Sequence, residues 1–204
     1  MEYVTKQMQT YKTGNTIMDQ FYIDDDYNVP DVKNDVKKVI LGEGTITVED
    51  MKVVENYIRV AGKLNFKVLY VTEEGEVRLS CLEGRTPFEE MIYLEREPVG
   101  QLYIQSSSAD LTVSTIHSRK LNIKALVELD VCSEGQQEAE LTVDIEGEEP
   151  LHKRFESKEF LKVFTTKKDT YRIKEEVSIG GTKENVGTLL WTEECPDVLL
   201  RPAY

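Results

Sequence analysis

If this chain did chemistry, it would do so through two histidines, three cysteines, one short glycine-containing stretch and three acidic runs. His117 stands beside Ser118-Arg119, and His152 follows Pro150-Leu151. Neither has a metal-ligand spacing, and no Ser-His-Asp or Cys-His arrangement can be argued around either one, so both read as turn or surface histidines. Cys81, Cys132 and Cys195 are odd in number and widely spaced, with no Cys-x-x-Cys pair. That pattern fits reduced thiols better than a disulfide framework or a zinc site. Gly42-Glu43-Gly44 lacks the further glycine and the lysine of a phosphate-cradling loop, and Glu43 would repel phosphate.

The acidic runs are Asp24-Asp25-Asp26, Glu73-Glu74-Gly75-Glu76 and Glu146-Gly147-Glu148-Glu149. Calcium loops space their carboxylates so that several converge on one centre. Three consecutive Asp on a strand point alternately to opposite faces, which favours solvated turns and charge-protected strand edges over ion binding. Uptake of calcium by the acidic loops stays open at this stage. Acidic β-sandwich hydrolases work with a carboxylate pair, yet no residue here stands out as an acid or a nucleophile. Trp191, the sole tryptophan, follows Leu189-Leu190 and reads as a core residue, and most tyrosines sit at strand positions that read as packed. The expectation is a chain with no catalytic residue, no metal site and no cofactor.

Charge narrows the partners. With 25 Lys and Arg against 38 Asp and Glu, the formal net charge is −13, which disfavours binding to nucleic acid or to anionic lipid. Arg59, Lys63 and Lys67 share one face, and a solvated strand face is the ordinary reading of them. The first residues, Met1 to Lys6, carry neither a positive leader nor the apolar core of a secretory signal. No apolar run approaches the ~20 residues that a membrane-crossing helix needs. A cytoplasmic chain without membrane insertion is expected.

Stepping from these residues to the elements that hold them, the dominant signal is alternation. Ile58, Val60, Leu64, Phe66, Val68 and Tyr70 fall on one face, and Arg59, Lys63, Asn65 and Lys67 on the other. Side chains change face at every residue of a strand, so this is a long half-buried strand. Glu73 to Glu76 reads as a turn, and Val77, Leu79 and Cys81 continue as the return strand of a hairpin. Leu121, Ile123, Ala125, Val127, Leu129 and Val131 give a second alternating strand. There Ser133-Glu134-Gly135 reads as a turn, with Leu141, Val143 and Ile145 on the return. Aromatic-containing segments follow each return, at 87–92 and 159–164. The phrases Lys63-Leu64-Asn65-Phe66-Lys67 and Lys120-Leu121-Asn122-Ile123-Lys124 match, which suggests two related half-modules.

A further repeat has a constant offset of 150 residues. Phe21 to Val29 aligns without gaps on Tyr171 to Ile179, and the register holds through Lys33/Lys183, Val36/Val186, Val39/Leu189 and Ile40/Leu190. Each copy reads as a strand, a turn (Pro30-Asp31, Gly180-Gly181) and a short helical or extended link. The fold class expected is mainly β: an antiparallel, sandwich-like repeat module with at most short helices. The expected division is an N-terminal segment over 1–18 and a β unit over 19–168. That unit has half-modules at about 40–97 and 98–168, and 169–204 is the start of a second repeat or closing strands. A second unit begun in this way has strand edges that either fold back on the first unit or pair with another chain.

In order and spacing, Asp24 to Lys33, Gly62 to Val71, Leu82-Glu83-Gly84, Pro87-Phe88, Ser118 to Ala125 and Asp169 to Glu176 resemble the SPOCS domain of clostridial spore-coat morphogenetic proteins of the SipL type. The resemblance spans about residues 19–198. Two departures are visible: Asn34 and Glu184 stand where relatives usually carry proline after the lysine, and no LysM-like segment is seen. The resemblance implies a non-enzymatic scaffold in spore-coat or envelope morphogenesis, in the mother cell at the forespore surface. Its implied partners are other coat morphogenetic proteins, including the ATPase that polymerises there, with self-association as a further option.

The reading of the residues is therefore an assembly module that binds proteins by strand addition. The candidate edge comprises Tyr171, Ile173, Val177, Ile179, Val186 and Leu190, with an intramolecular closing strand as the alternative for the same segment. A carbohydrate- or peptidoglycan-binding β module is the second functional reading. It requires exposed aromatic platforms.

Overall fold

The computed structural model describes residues 2–73 and 78–147, and beyond these 152–157, 159, 172, 174–176, 178–181 and 187–192. Seven strands run through the first two stretches: β1 (Glu2–Thr13), β2 (Ile17–Asn28), β3 (Val36–Val54), β4 (Tyr57–Thr72), β5 (Leu79–Tyr93), β6 (Gln101–His117) and β7 (Lys120–Glu146). No helix occurs among the described residues, so none there is long and apolar enough to cross a membrane. The mainly β, antiparallel, sandwich-like fold expected from the sequence is the fold observed.

β3, β4 and β5 form a three-stranded antiparallel meander. The second sheet is organised around β7, which pairs antiparallel with β1, β2 and β6. β1 and β2 lie end to end along one side of β7, and β6 lies on the other side. The two sheets meet where β3 packs against β6 and β2 against β5.

Both central strands owe their place to period-two alternation. On β4, Ile58, Val60, Leu64, Phe66, Val68 and Tyr70 are buried, while Arg59, Ala61, Lys63, Asn65 and Lys67 are only partly covered. On β7, Leu121, Ile123, Ala125, Val127, Leu129 and Val131 are buried in turn. These two rows face each other as the core. Each large apolar side chain buried in this way contributes about 1.5–3 kcal/mol of transfer free energy. Tyr27 of β2 stands edge-on to Phe66 of β4 at 5.0 Å, and Phe21 tilts against Phe88 of β5 at 5.2 Å. Gly84 makes room for the first pair: a Cβ there would lie 2.2 Å from Phe66 Cζ and 2.8 Å from Tyr27 Cε2.

Two expectations need correction. Ser133-Glu134-Gly135 is not a turn, because β7 runs through it without a break. The backbone there is held from both sides, with Thr13 opposite Glu134 on β1 and Gln101 opposite Glu134 on β6. Gly14 N–H also donates to Ser133 O at 2.7 Å, and Ser133 Oγ accepts from Val99 N–H at 3.1 Å. Leu141, Val143 and Ile145 thus extend the same strand and are not the return arm of a hairpin. Val131, Cys132 and Ser133 are buried in succession, which marks the point where the alternation slips. The tyrosines are also less packed than expected. Tyr70 is buried, but Tyr3, Tyr22, Tyr57 and Tyr93 are exposed.

Candidate interaction surfaces

At one end of the sandwich, the two-residue turn Ser118-Arg119 between β6 and β7 grips the loop between β2 and β3. Arg119 Nη1 donates to Lys33 O at 2.6 Å and to Asp35 Oδ1 at 3.1 Å. Arg119 Nη2 donates to Val29 O at 3.1 Å and to Asp31 Oδ1 at 3.2 Å. Ser118 Oγ donates to Asp35 Oδ2 at 2.9 Å, and Val29 N–H donates to Arg119 O at 2.9 Å. A guanidinium has five N–H donors in a planar fork, which suits it to two carbonyls and two carboxylates at once. His117 belongs to this turn, where its Nδ1 accepts from Arg119 N–H at 3.2 Å. It is exposed, as is His152, so both histidines sit where the sequence places them. The clasp is structural: its donors and acceptors are spent on one another.

The outward face of β2 and β7 carries the first acidic run. Asp24 and Asp26 share that face, and Asn122 Nδ2 donates to both, at 2.7 and 3.2 Å. Lys124 lies 3.0 Å from Asp24, and Lys120 lies 2.8 Å from Asp26. The Asn122 amide, reinforced by Lys124, holds the Asp24 carboxyl below the usual carboxylate range, and Lys120 with Asn122 does the same for Asp26. Asp24 and Asp26 are thus neutralised by neighbours on the adjoining strand. No group of three or more His, Cys, Asp or Glu arranged to hold a metal occurs among the described residues. The face shared by Arg59 and Lys63 is balanced in the same way, through Glu89 at 2.5 Å and Glu49 at 2.5 Å.

Gly42 and Gly44 lie within β3 and form no loop. A Cβ on Gly42 would press against β6, at 3.0 Å from Val113 Cγ2, and one on Gly44 would lie 3.1 Å from Leu64 Cδ1 of β4 and 3.4 Å from Leu111 Cβ of β6. Their role is close packing of β3 over the core. A cleft of about 420 Å³ opens where β1 meets β2, between Thr16, Cys132, Ser133 and the Glu95–Val99 segment. Cys132 Sγ lies 2.9 Å from Gln105 Oε1 and 3.2 Å from Thr16 Oγ1, so its thiol is engaged.

Of the six residues nominated as an interaction edge, Tyr171, Ile173, Val177 and Val186 lie outside the described residues. Ile179 is 50% exposed and Leu190 is half-buried, and neither stands in a strand. Trp191 is half-buried.

An unpaired length of strand lies elsewhere among the described residues, on β7. β6 pairs with β7 only as far as Glu134, where Gly100, at φ 70°, turns the chain away. Over 135–146 β7 keeps β1 on one side and has no strand partner on the other among the described residues. The sequence offered a signal for it, since Leu141, Val143 and Ile145 alternate with acids. That signal was indistinguishable from the return arm of a hairpin.

The family described as SipL, SPOCS domain, matches residues 35–149, more than half of the chain. The matched span runs from Asp35 in the Arg119 clasp through the whole of β7, and leaves β1 and β2 outside it. No curated protein and no solved structure matches.

Proposed function

Because the chain belongs to the SipL SPOCS-domain family, we propose that it is a non-enzymatic assembly module of the spore coat or envelope, acting through protein–protein contacts in the mother cell at the forespore surface. The family match is the observation that carries this reading, and it points to a sporulation-related role in coat assembly. The described structure is compatible in kind, because it is a sandwich whose polar clusters are spent on structure and whose longest strand has an unpaired length. Sheet edges of this sort recruit partners by strand addition, with main-chain hydrogen bonds for affinity and alternate side chains for selectivity. The partners we infer are other coat morphogenetic proteins.

The test is the position of a fluorescent fusion of the chain in sporulating cells. A shell of fluorescence around the forespore supports the reading. Uniform fluorescence through the mother cell at every stage of sporulation would sink it.

A specific observation keeps a second reading in play. Tyr57 and Tyr93 pair edge-on at 5.6 Å at the end of β4 and β5, and both are exposed. Exposed aromatic faces are what a carbohydrate- or peptidoglycan-binding module needs. Pull-down of the chain by purified peptidoglycan, lost on Tyr93→Ala, distinguishes this reading from protein assembly.

A further inference from the structure

The outward face of the second sheet is a regular grid over β2, the first half of β7 and β6. Side by side across it stand Met18, Asp130 and Ser106, then Gln20, Glu128 and Ser108, then Tyr22, Leu126 and Asp110, and then Asp24, Lys124 and Thr112. No register shift interrupts β2 against β7, and the pairing of β6 is regular from Ser106 to Thr115. All these residues point away from the core, because the alternate row of β7, Leu121 to Val131, is the buried one. Met18 is 80% and Tyr22 79% exposed, so nothing among the described residues covers them.

The two halves of this face differ in charge. In one half Asp24 and Asp26 are answered by Lys124 and Lys120. In the other, Asp110, Glu128 and Asp130 have no cation within ion-pair distance among the described residues. Their neighbours there are neutral: Gln20 Nε2 and Ser108 Oγ donate to Glu128, the latter at 3.2 Å, and Ser106 Oγ donates to Asp130. β2 and β6 contain no Lys or Arg, and the two lysines of β7 are those already held by Asp24 and Asp26. A cation for these acids must come from beyond the three strands. Met18, Gln20, Ser106, Ser108, Glu128 and Asp130 also frame a depression of about 450 Å³ in the face.

We propose that this half of the face docks an extended segment of a partner protein that carries two arginines on one side, two residues apart. One guanidinium lies over Leu126, between Tyr22 and Asp110, where it stacks on the tyrosine ring and pairs with the carboxylate. The other enters the depression over Glu128, with Asp130 in reach. Leu126 and Glu128 are one same-face step apart, about 7 Å, which is also the spacing of residues i and i+2 in an extended partner. Lysine fits less well, because an ammonium lacks the planar fork that stacks on a ring while binding carboxylates. A second copy docking through the same face is disfavoured, since that apposition sets Asp110, Glu128 and Asp130 against their own counterparts. This surface rests on the reading that the chain works by protein contact, and gives that contact a place and a partner chemistry.

The experiment follows the backbone amide resonances of the full, isotope-labelled chain as a short synthetic peptide containing Arg-Leu-Arg is added. It is repeated with citrulline for both arginines, which keeps the shape and removes the charge, and with lysine for both. The expected result is a set of shifts gathered at 18–22, 106–112 and 126–130 with the arginine peptide, none with the citrulline peptide, and weaker binding of the lysine peptide. Asp110→Asn combined with Glu128→Gln, both at exposed positions, weakens binding about tenfold, and Tyr22→Ala weakens it about threefold. Glu138→Gln combined with Glu140→Gln removes the same charge from the far length of β7 and leaves binding unchanged. Three outcomes overturn the proposal. The arginine peptide does not bind, or binds no better than the citrulline peptide; the shifts scatter over the chain or the Glu138 and Glu140 variant loses as much, so that only the net charge of −13 is sensed; or the lysine peptide binds equally well, so that Tyr22 provides no stacking seat. None of these bears on whether the chain gathers at the forespore, so failure here leaves the functional reading standing.

Discussion

Arg119 and Asp35, 84 residues apart in sequence, meet at 3.1 Å where the turn between β6 and β7 closes over the loop between β2 and β3. The same guanidinium holds the Val29 and Lys33 carbonyls. Two of the segments that carry the family resemblance, Asp24 to Lys33 and Ser118 to Ala125, are thus joined by this one side chain.

Removing that side chain leaves two carbonyls and two carboxylates without their shared donor. Arg119→Ala is expected to lower the unfolding free energy by about 2–3 kcal/mol, the scale of hydrogen bonds to a charged group. Arg119→Lys restores the charge but not the planar fork, so it recovers only part of the loss. Urea unfolding followed by tryptophan-independent circular dichroism measures both. Equal stability of the lysine variant and the parent would show that charge alone matters at this site.

Gly84 is the second position at which a small change has a large expected effect. Adding one methyl places it against Phe66 and Tyr27 of the core. Gly84→Ala is expected to cost about 1–3 kcal/mol through forced repacking. A shift of the urea midpoint with an unchanged slope is the expected signature.

A pH dependence follows from Asp19. Burial, with Glu90 nearby, raises the Asp19 carboxyl above the usual range, and its Oδ2 has no hydrogen-bond partner among the described residues. The folded state therefore holds this proton more tightly than the unfolded chain does. The resulting stability is present at pH below the unfolded value, and it is lost as pH rises through the raised folded value. Asp19→Asn is expected to melt higher than the parent at pH 7, with the difference closing on acidification. A difference independent of pH between 3 and 7 (a range of roughly four units that spans ordinary and raised carboxyl values) would contradict this assignment.

The central strands were legible because each is buried on one face and must alternate: β4 and the first half of β7 are written plainly in Ile58 to Tyr70 and Leu121 to Val131. What was illegible has physical reasons. Ser133-Glu134-Gly135 has the composition of a turn, but its backbone is held straight by partners far away in sequence at Thr13 and Gln101. β3 was read only as a short link at its start, because bulges near Val36, Val39 and Val48 break its period. β1 gave no strand signal because its ribbon covers no second layer, and burial is what imposes alternation. The clasp is invisible in sequence for the same reason as the register at Glu134: each depends on contacts that only the fold brings together. The free side of β7 was hidden along with the turn that β7 does not make.

The most direct test of the account is thin-section electron microscopy of spores from cells lacking this chain. The account predicts coat layers that are missing from the forespore surface or detached from it, with restoration by the parent chain supplied in the mother cell. Normal, fully attached coat in the absence of the chain would contradict a role in coat assembly.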